Sequence, residues 1–533
     1  MDDEPGCWTL DFYDFRQVFT AAAEDEQLHE FGDVHVRAER NGARHGTPIL
    51  LSSSGEADPR INLFFRFGSV AARRPRTWRR YAFSLVVWLD FLATRGRSWD
   101  EATPADFDDF KYWRITDHRN LQRVRPTSFD TDRAGLNAFY DWAARYGVAN
   151  PVPTRVVAED QAQEVTSSDQ RRDPMRPAGS PRRQVKWLLR SAFEQWRDIG
   201  LRGYGFDGRR RPGWRGFNED RDAAFVDGLY GTGLRLTEWS SILDVELPDE
   251  DALGRFPKAW LTAACIKGGK QGRTYRIPRS VVKAIAAYMD PVEGSRVEAI
   301  QRARRQGRYD QLSGLIMVTG CNRHSRTVTV MTSSGSTPVA LDVLGPEERL
   351  RLFRATDAGL EPLAVWLGND GMPKQAHSWE KTFQTANKRI KNQWAAAHGK
   401  GDDHTVECPL WARPHMARHS YALKWFSILS VVWSQQLEGF TDREKRDLRE
   451  QFGDVWFQLA TLLGHSSPEV TKDWYLEPFA GLQVDYIFSL LDEEERAAVE
   501  QLVGKVVQDS DRVLTAVRLT EAPVPERAQD GGQ

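Results

Sequence analysis

The chain has 533 residues, 40% of them hydrophobic and 28% charged, and a formal net charge of −2. That length exceeds one ordinary core, so several domains of a folded, soluble protein are expected, and the balanced charge gives no global sign of a polyanionic partner. No apolar run is long enough to cross a bilayer, and the scattered Cys7, Cys265, Cys321 and Cys408, without CxxC pairing, argue against a zinc ribbon or a disulfide framework and suit a reducing cytoplasm.

Residues 1–70 give weak signals and are read as an N-terminal extension or small appended module. The start, "MDDEPGCWTL", lacks the basic end and apolar stretch of an export signal. Next, Trp78, Tyr81, Leu85, Trp88, Leu89 and Leu92 fall on one helix face, and Leu136, Phe139, Tyr140 and Ala143 repeat the spacing before "VANPVP" ends the segment. Residues 71–150 are therefore expected to form a small helical domain. Residues 151–183 are polar and proline-punctuated, the composition of a flexible linker. Between Gln170 and Gly216 thirteen Arg or Lys face four Asp or Glu, a locally basic stretch that fits either a phosphate backbone or plain solvation.

A larger domain is expected over 184–485. "RDAAFVDGLYGTGLRLTEWSSILDVEL" reads as a helix, a glycine-marked break and a second helix. "AWLTAACIKGGKQGRTYRIP" reads as a β-hairpin, and the alternation in "RTVTVMTSSGSTPVALDVL" at 326–344 suggests another. Helical patterns follow from "WEKTFQTANKRIKNQW" to 485, then an amphipathic helix around 486–507 and a loose tail to 533. There is no βαβ alternation and no internal repeat. The expected class is mainly α with a small antiparallel β component.

"PHMARHS" at 414–420 sets His415 and His419 four apart, a spacing that can grip a metal. Met416, however, occupies the place of a zincin's glutamate base, and Arg418 beside His419 would repel a cation. His415 and Arg418 share a helix face, and two converging donors suit an anion better. Other donors are scattered along the chain. Arg235 follows the glycine break in "GTGLRLTEW", with Glu238 one turn on to hold its fork. Lys267 and Lys270 lie in the hairpin "IKGGKQGR", and "LLGHSSPEVTKDWY" supplies His465 and Tyr475. Each of these has a bland reading: a solvated arginine, a lysine keeping a turn soluble, a packed tyrosine.

Their order does not. Arginine, hairpin lysine, His-x-x-Arg, Leu-Gly-His and a downstream tyrosine together resemble the tyrosine recombinase or phage-integrase family over roughly 218–480, with "RPHMARHSYA" and "LLGHSSPEVTKDWY" the most specific pieces. The resemblance implies a helical core-binding domain over 71–150 and an α+β catalytic domain. It makes Arg235 and Arg418 the phosphate-binding arginines and Lys267, ahead of Lys270, the hairpin lysine that protonates the leaving oxygen. His415 and His465 become the two histidines, Tyr475 the nucleophile and Glu238 the supporting acid, while His419 has no catalytic match. It further implies double-stranded DNA as partner, a homo-tetramer on paired sites, possible accessory recombination proteins, and no membrane, metal, ATP or other cofactor. The family's work places such a chain in the cytoplasm, on the nucleoid. The basic stretch, with Arg182, Arg183, Lys186, Arg209, Arg210 and Arg211, would track phosphates. The distance from Lys267 to His415 exceeds the family's usual spacing, so much of 292–360 is expected to be an insertion. Alternative readings are a type IB topoisomerase-like nicking and resealing enzyme, a non-catalytic DNA-binding regulator on the same scaffold and, last, a metal-dependent nuclease centred on "GDDH" at 401–404.

Overall fold

The computed structural model describes residues 7–15, 34–73, 75–152, 186–249, 254–269, 271–312, 314–332, 335–398, 408–437, 440–441, 443–444, 453–465, 468 and 513–514. The expected linker beyond residue 152, Arg182, Arg183, Lys270, the "GDDH" loop, Tyr475 and the 486–507 helix lie outside these described residues. The chain divides into two compact units, Met1–Arg183 and Gln184–Gln533.

The first unit packs three helices, α1 (Pro75–Ala93), α2 (Pro104–Ile115) and α3 (Pro126–Ala143), beside an antiparallel pair β1 (Thr9–Phe12) and β2 (Pro48–Leu51). Pro104 and Pro126 begin their helices where a missing N–H costs nothing, and the Thr103 hydroxyl caps α2 through the Asp106 backbone N–H. The aromatic stripe of α1 is core: Trp88 is fully buried, its ring centroid 5.0 Å from that of Phe110, and its indole N–H donates to the Tyr140 hydroxyl at 2.8 Å. Buried Asp132 ties the three helices together, accepting from Ser84 (2.7 Å), Arg80 (3.0 Å) and Arg114 (3.2 Å). Among the described residues before position 71, Leu50, Ile61, Phe64 and Phe65 are buried in the same core as these helices.

The second unit opens with β3 (Trp187–Leu188), α4 (Arg190–Leu201), α5 (Glu219–Thr232) and α6 (Leu236–Ser240). The hairpin β4 (Lys258–Leu261) and β5 (Arg273–Arg276) follows, paired Lys258 to Arg276 and Leu261 to Arg273. Next come α7 (Arg279–Met289), α8 (Ser295–Arg305), and five strands: β6 (Ile316–Asn322), β7 (Thr327–Thr332), β8 (Gly335–Ala340), β9 (Leu352–Thr356) and β10 (Gly359–Pro362). Long helices α9 (Ala376–His398) and α10 (Pro414–Leu437), then α11 (Val455–Leu463) and a short β11 (Val513–Leu514), complete it. Its core stacks Phe225 on Trp379 at 3.4 Å between centroids and packs Trp239 against Trp366 at 5.6 Å with the rings tilted by 51°.

The class is mainly α with small sheets. The sheets are not purely antiparallel: in the order β10-β9-β6-β7-β8, β6 and β9 run parallel, as do β11 and β3. The alternation at 326–344 is the hairpin β7–β8. Its extension to five strands comes from β9 returning beside β6 after the hairpin, a non-local pairing with no local mark. Among the described residues no helix is long and apolar enough to cross a membrane.

Candidate active site

Two helices end at the same place for the same reason. Both α5 and α11 are closed by glycines in the left-handed region, Gly233 (φ 64°) and Gly464 (φ 66°). A Cβ on Gly233 would sit 2.3 Å from the Tyr421 ring, and one on Gly464 2.2 Å from Arg273 Nε, so neither position accepts a side chain. The carbonyls left at these helix ends carry partial negative charge and attract a cation. Arg418, on α10 and 2% exposed, fills that role: its Nη1 donates to Gly233 O and its Nη2 to Leu463 O, both at 2.6 Å. The chain then delivers His465 one residue after Gly464 and Arg235 two residues after Gly233.

Arg235 is the more outward of the two arginines, with 29% of its side chain exposed. Glu238, 1% exposed, holds it in place: the carboxylate accepts from Arg235 Nη1 and from the Arg235 backbone N–H, each at 2.8 Å. A third guanidinium shares that carboxylate. Arg273 Nη2, on β5, lies 3.5 Å from Glu238 Oε2, and Arg273 Nη1 donates to Leu462 O at 3.4 Å. Burial, with Arg235 close by, holds the Arg273 pKa below its ordinary value against the pull of Glu238. Sequence reasoning missed Arg273. Its one signal was an arginine on the half-buried face of a four-residue strand, "RTYR", too short for a pattern.

His465 Nε2 is 3.1 Å from Arg418 Nη2. A guanidinium can only donate, so Nε2 accepts and the imidazole proton belongs on Nδ1. Burial first, then Arg418, Arg235, Arg273 and His415, push the His465 pKa down to about 3. Neutral His465 is therefore the form at physiological pH. His415, at the exposed start of α10, meets the buried His419 ring edge to face at 4.5 Å between centroids. Among the described residues there is no group of three or more His, Cys, Asp or Glu placed to hold a metal.

The linkage has a definite sign. Unfolded His465 would take a proton near pH 6.5, whereas the folded one resists to about 3. Its neutral, stabilising arrangement is fully present above 6.5 and is lost progressively as pH falls toward 3. Urea unfolding between pH 7.5 and 4.5 should show stability dropping with acid, and His465→Gln should flatten that slope. An unchanged slope would show that His465 titrates normally.

Of the residues singled out by sequence, Arg235, Glu238, His415, Arg418 and His465 come together, and Tyr475 lies outside the described residues. Lys267 is exposed in the β4–β5 turn. The basic positions are dispersed: Arg209 and Arg211 are exposed, Arg210 pairs with Glu219 at 2.6 Å, and the Lys186 ammonium lies 5.5 Å from the Trp411 ring centroid. Among the described residues the site thus sets three guanidiniums against one carboxylate beside a neutral imidazole, an arrangement suited to stabilising an oxyanion.

No protein-family model and no curated protein matches the chain. Solved structures do. The chain is similar to XerA recombinase at 13% identity, covering 84% of this chain and 98% of that one, with a TM-score of 0.26. It is similar to the Tn1549 transposon integrase, solved with circular intermediate DNA, at 14% identity, 81% and 98% coverage and a TM-score of 0.36. For XerH site-specific recombinase on its palindromic difH substrate the values are 10%, 78%, 80% and 0.37.

Proposed function

We propose that the chain is a site-specific DNA recombinase of integrase or transposase type. It would cut and rejoin DNA through a 3′-phosphotyrosyl intermediate without metal or ATP. The observation that carries the reading is the convergence of Arg235, Arg273 and Arg418 on two glycine-terminated helix ends, with His465 held neutral among them. Attack on a phosphodiester drives the equatorial oxygens toward a second negative charge. Arg235 and His415 are the more exposed groups and would meet the phosphate, while buried Arg418 would add charge and fix His465. With Nε2 engaged by Arg418, His465 offers its Nδ1–H as a donor.

Tyr475 is the proposed nucleophile. Tyr421, the tyrosine packed against this cluster, is unsuited: it is 2% exposed and burial raises its pKa to about 12. Double-stranded DNA is the proposed partner, taken up by a tetramer on paired sites, with the 71–150 helices and the basic positions around the start of the catalytic domain as further contacts. A nicked half-site found by randomised selection tests the reading. An SDS-resistant protein–DNA adduct on the 3′ side is expected in EDTA, and cleavage that strictly needs magnesium would count against it.

A further inference from the structure

The module from α8 to β10 has no part in the chemistry proposed above, yet it grips the hairpin that carries Lys267. Asp342, in the single turn Leu341–Val343 that follows β8, accepts from the Trp260 indole N–H at 3.0 Å and from the Ala263 backbone N–H at 3.3 Å. Arg326, in the β6–β7 turn, stacks its guanidinium 4.2 Å from the Trp260 ring centroid, with Nε 3.6 Å from Asp342 Oδ2. Arg326 has φ 51° and is the only non-glycine residue in the left-handed region among those described. Such a conformation persists where surrounding contacts impose it. Deeper in, the 2%-exposed Arg349 bridges Glu246 (2.6 and 2.9 Å) and the Thr262 hydroxyl (2.9 Å), while Cys265 Sγ lies 3.9 Å from Leu344 O.

These contacts fall on Trp260, Thr262, Ala263 and Cys265, the links immediately before Lys267. The opposite strand of the hairpin enters the site through Arg273. The turn bearing Lys267 is thus held on one side by the module and on the other by the cationic cluster. A lysine on a free hairpin would sample many positions, and misplacing a catalytic group by about 1 Å can cost about 100-fold in rate.

We propose that the α8–β10 module is a brace for the catalytic hairpin, and that Asp342 and Arg326, acting through Trp260 and Ala263, are positioning residues for the Lys267 ammonium. This rests on the strand-transfer reading above. In that step the Tyr475 Oη–P bond forms as P–O5′ breaks, the phenol proton passes to a base, and Lys267 gives its proton to O5′.

The test replaces the bridging 5′ oxygen of the selected half-site by sulfur. A thiolate, with a thiol pKa near ~8.5, leaves without being protonated. Full-length wild type, Lys267→Ala, Asp342→Ala and Arg326→Gly (which keeps the left-handed turn) are compared on both substrates. Asp342→Ala and Arg326→Gly are expected to slow cleavage of the oxygen substrate by about 10- to 100-fold. Both should approach wild type on the sulfur substrate, as Lys267→Ala should. Hydrogen exchange at the Ala263 amide should quicken in Asp342→Ala. If Lys267→Ala is rescued by sulfur but Asp342→Ala and Arg326→Gly are slowed equally on both substrates, or on neither, the brace is overturned alone. If Lys267→Ala is itself not rescued, the assignment of Lys267 as the acid fails and the brace falls with it.

Discussion

Tyr475→Phe is expected to abolish the covalent adduct and lower strand cleavage by on the order of 10⁶, the scale of removing a nucleophile from a catalytic set. Phenylalanine keeps the aromatic ring and removes only the oxygen that would bond to phosphorus. A phenol with pKa near ~10 is mostly protonated at neutral pH, so its reactivity depends on a cationic surrounding that favours the phenolate. On the proposed reading that surrounding is the cluster of Arg235, Arg273 and Arg418, set against Glu238 as its carboxylate among the described residues. DNA affinity should change little, because phosphate contacts by basic side chains dominate it. Adduct yield on denaturing gels and affinity by mobility shift check the two halves of this expectation. Undiminished adduct in the variant would remove Tyr475 from the chemistry.

Arg235→Ala is expected to lower cleavage by about 10²–10³, the usual cost of deleting one preorganised donor to a developing oxyanion. Arg235 is the arginine of the cluster with the larger exposed share, and its fork is aimed by Glu238 through two 2.8 Å hydrogen bonds. Removing it does not strand the buried carboxylate, since Arg273 Nη2 remains 3.5 Å away, so the fold should survive. Arg235→Lys should recover only part of the rate, because an ammonium keeps the charge and loses the planar fork. Single-turnover rates on the selected half-site, with thermal unfolding as a control, measure both. Wild-type cleavage by Arg235→Ala would take this side chain out of the site.

What the sequence made legible follows from how local each signal is. The α1 stripe of Trp78, Tyr81, Leu85 and Trp88 is periodic within one helix, and every member is buried. The break at "GTGLR" was visible because only glycine fits the left-handed end of α5, and the structure adds that Gly464 ends α11 in the same way. Arg273 was not legible, because its importance lies in reaching Glu238 and Leu462, 35 residues before it and 189 after it. The sheet β10-β9-β6-β7-β8 was half legible: the β7–β8 hairpin alternates locally, but the β6–β9 pairing joins strands separated by that hairpin. The N-terminal 70 residues read as an appendage because their apolar residues come singly. Leu50 and Phe64 nonetheless complete the first unit's core.

The histidine pair at 415 and 419 shows how a spacing can mislead. At four apart they match a metal-gripping pattern, but the elements around them bring guanidiniums: Arg418 between them in sequence, Arg235 and Arg273 across the site. The chemistry follows from the company these side chains keep in space.

If this cationic cluster serves a tyrosine attacking a DNA phosphodiester, the point of covalent attachment reveals it. The adduct formed in EDTA is trimmed with nuclease, digested with protease and mapped by mass spectrometry. The expected product is a nucleotide on the peptide containing Tyr475, joined through the phenolic oxygen. A nucleotide on any other residue, Tyr421 included, or cleavage with no covalent intermediate, would contradict it.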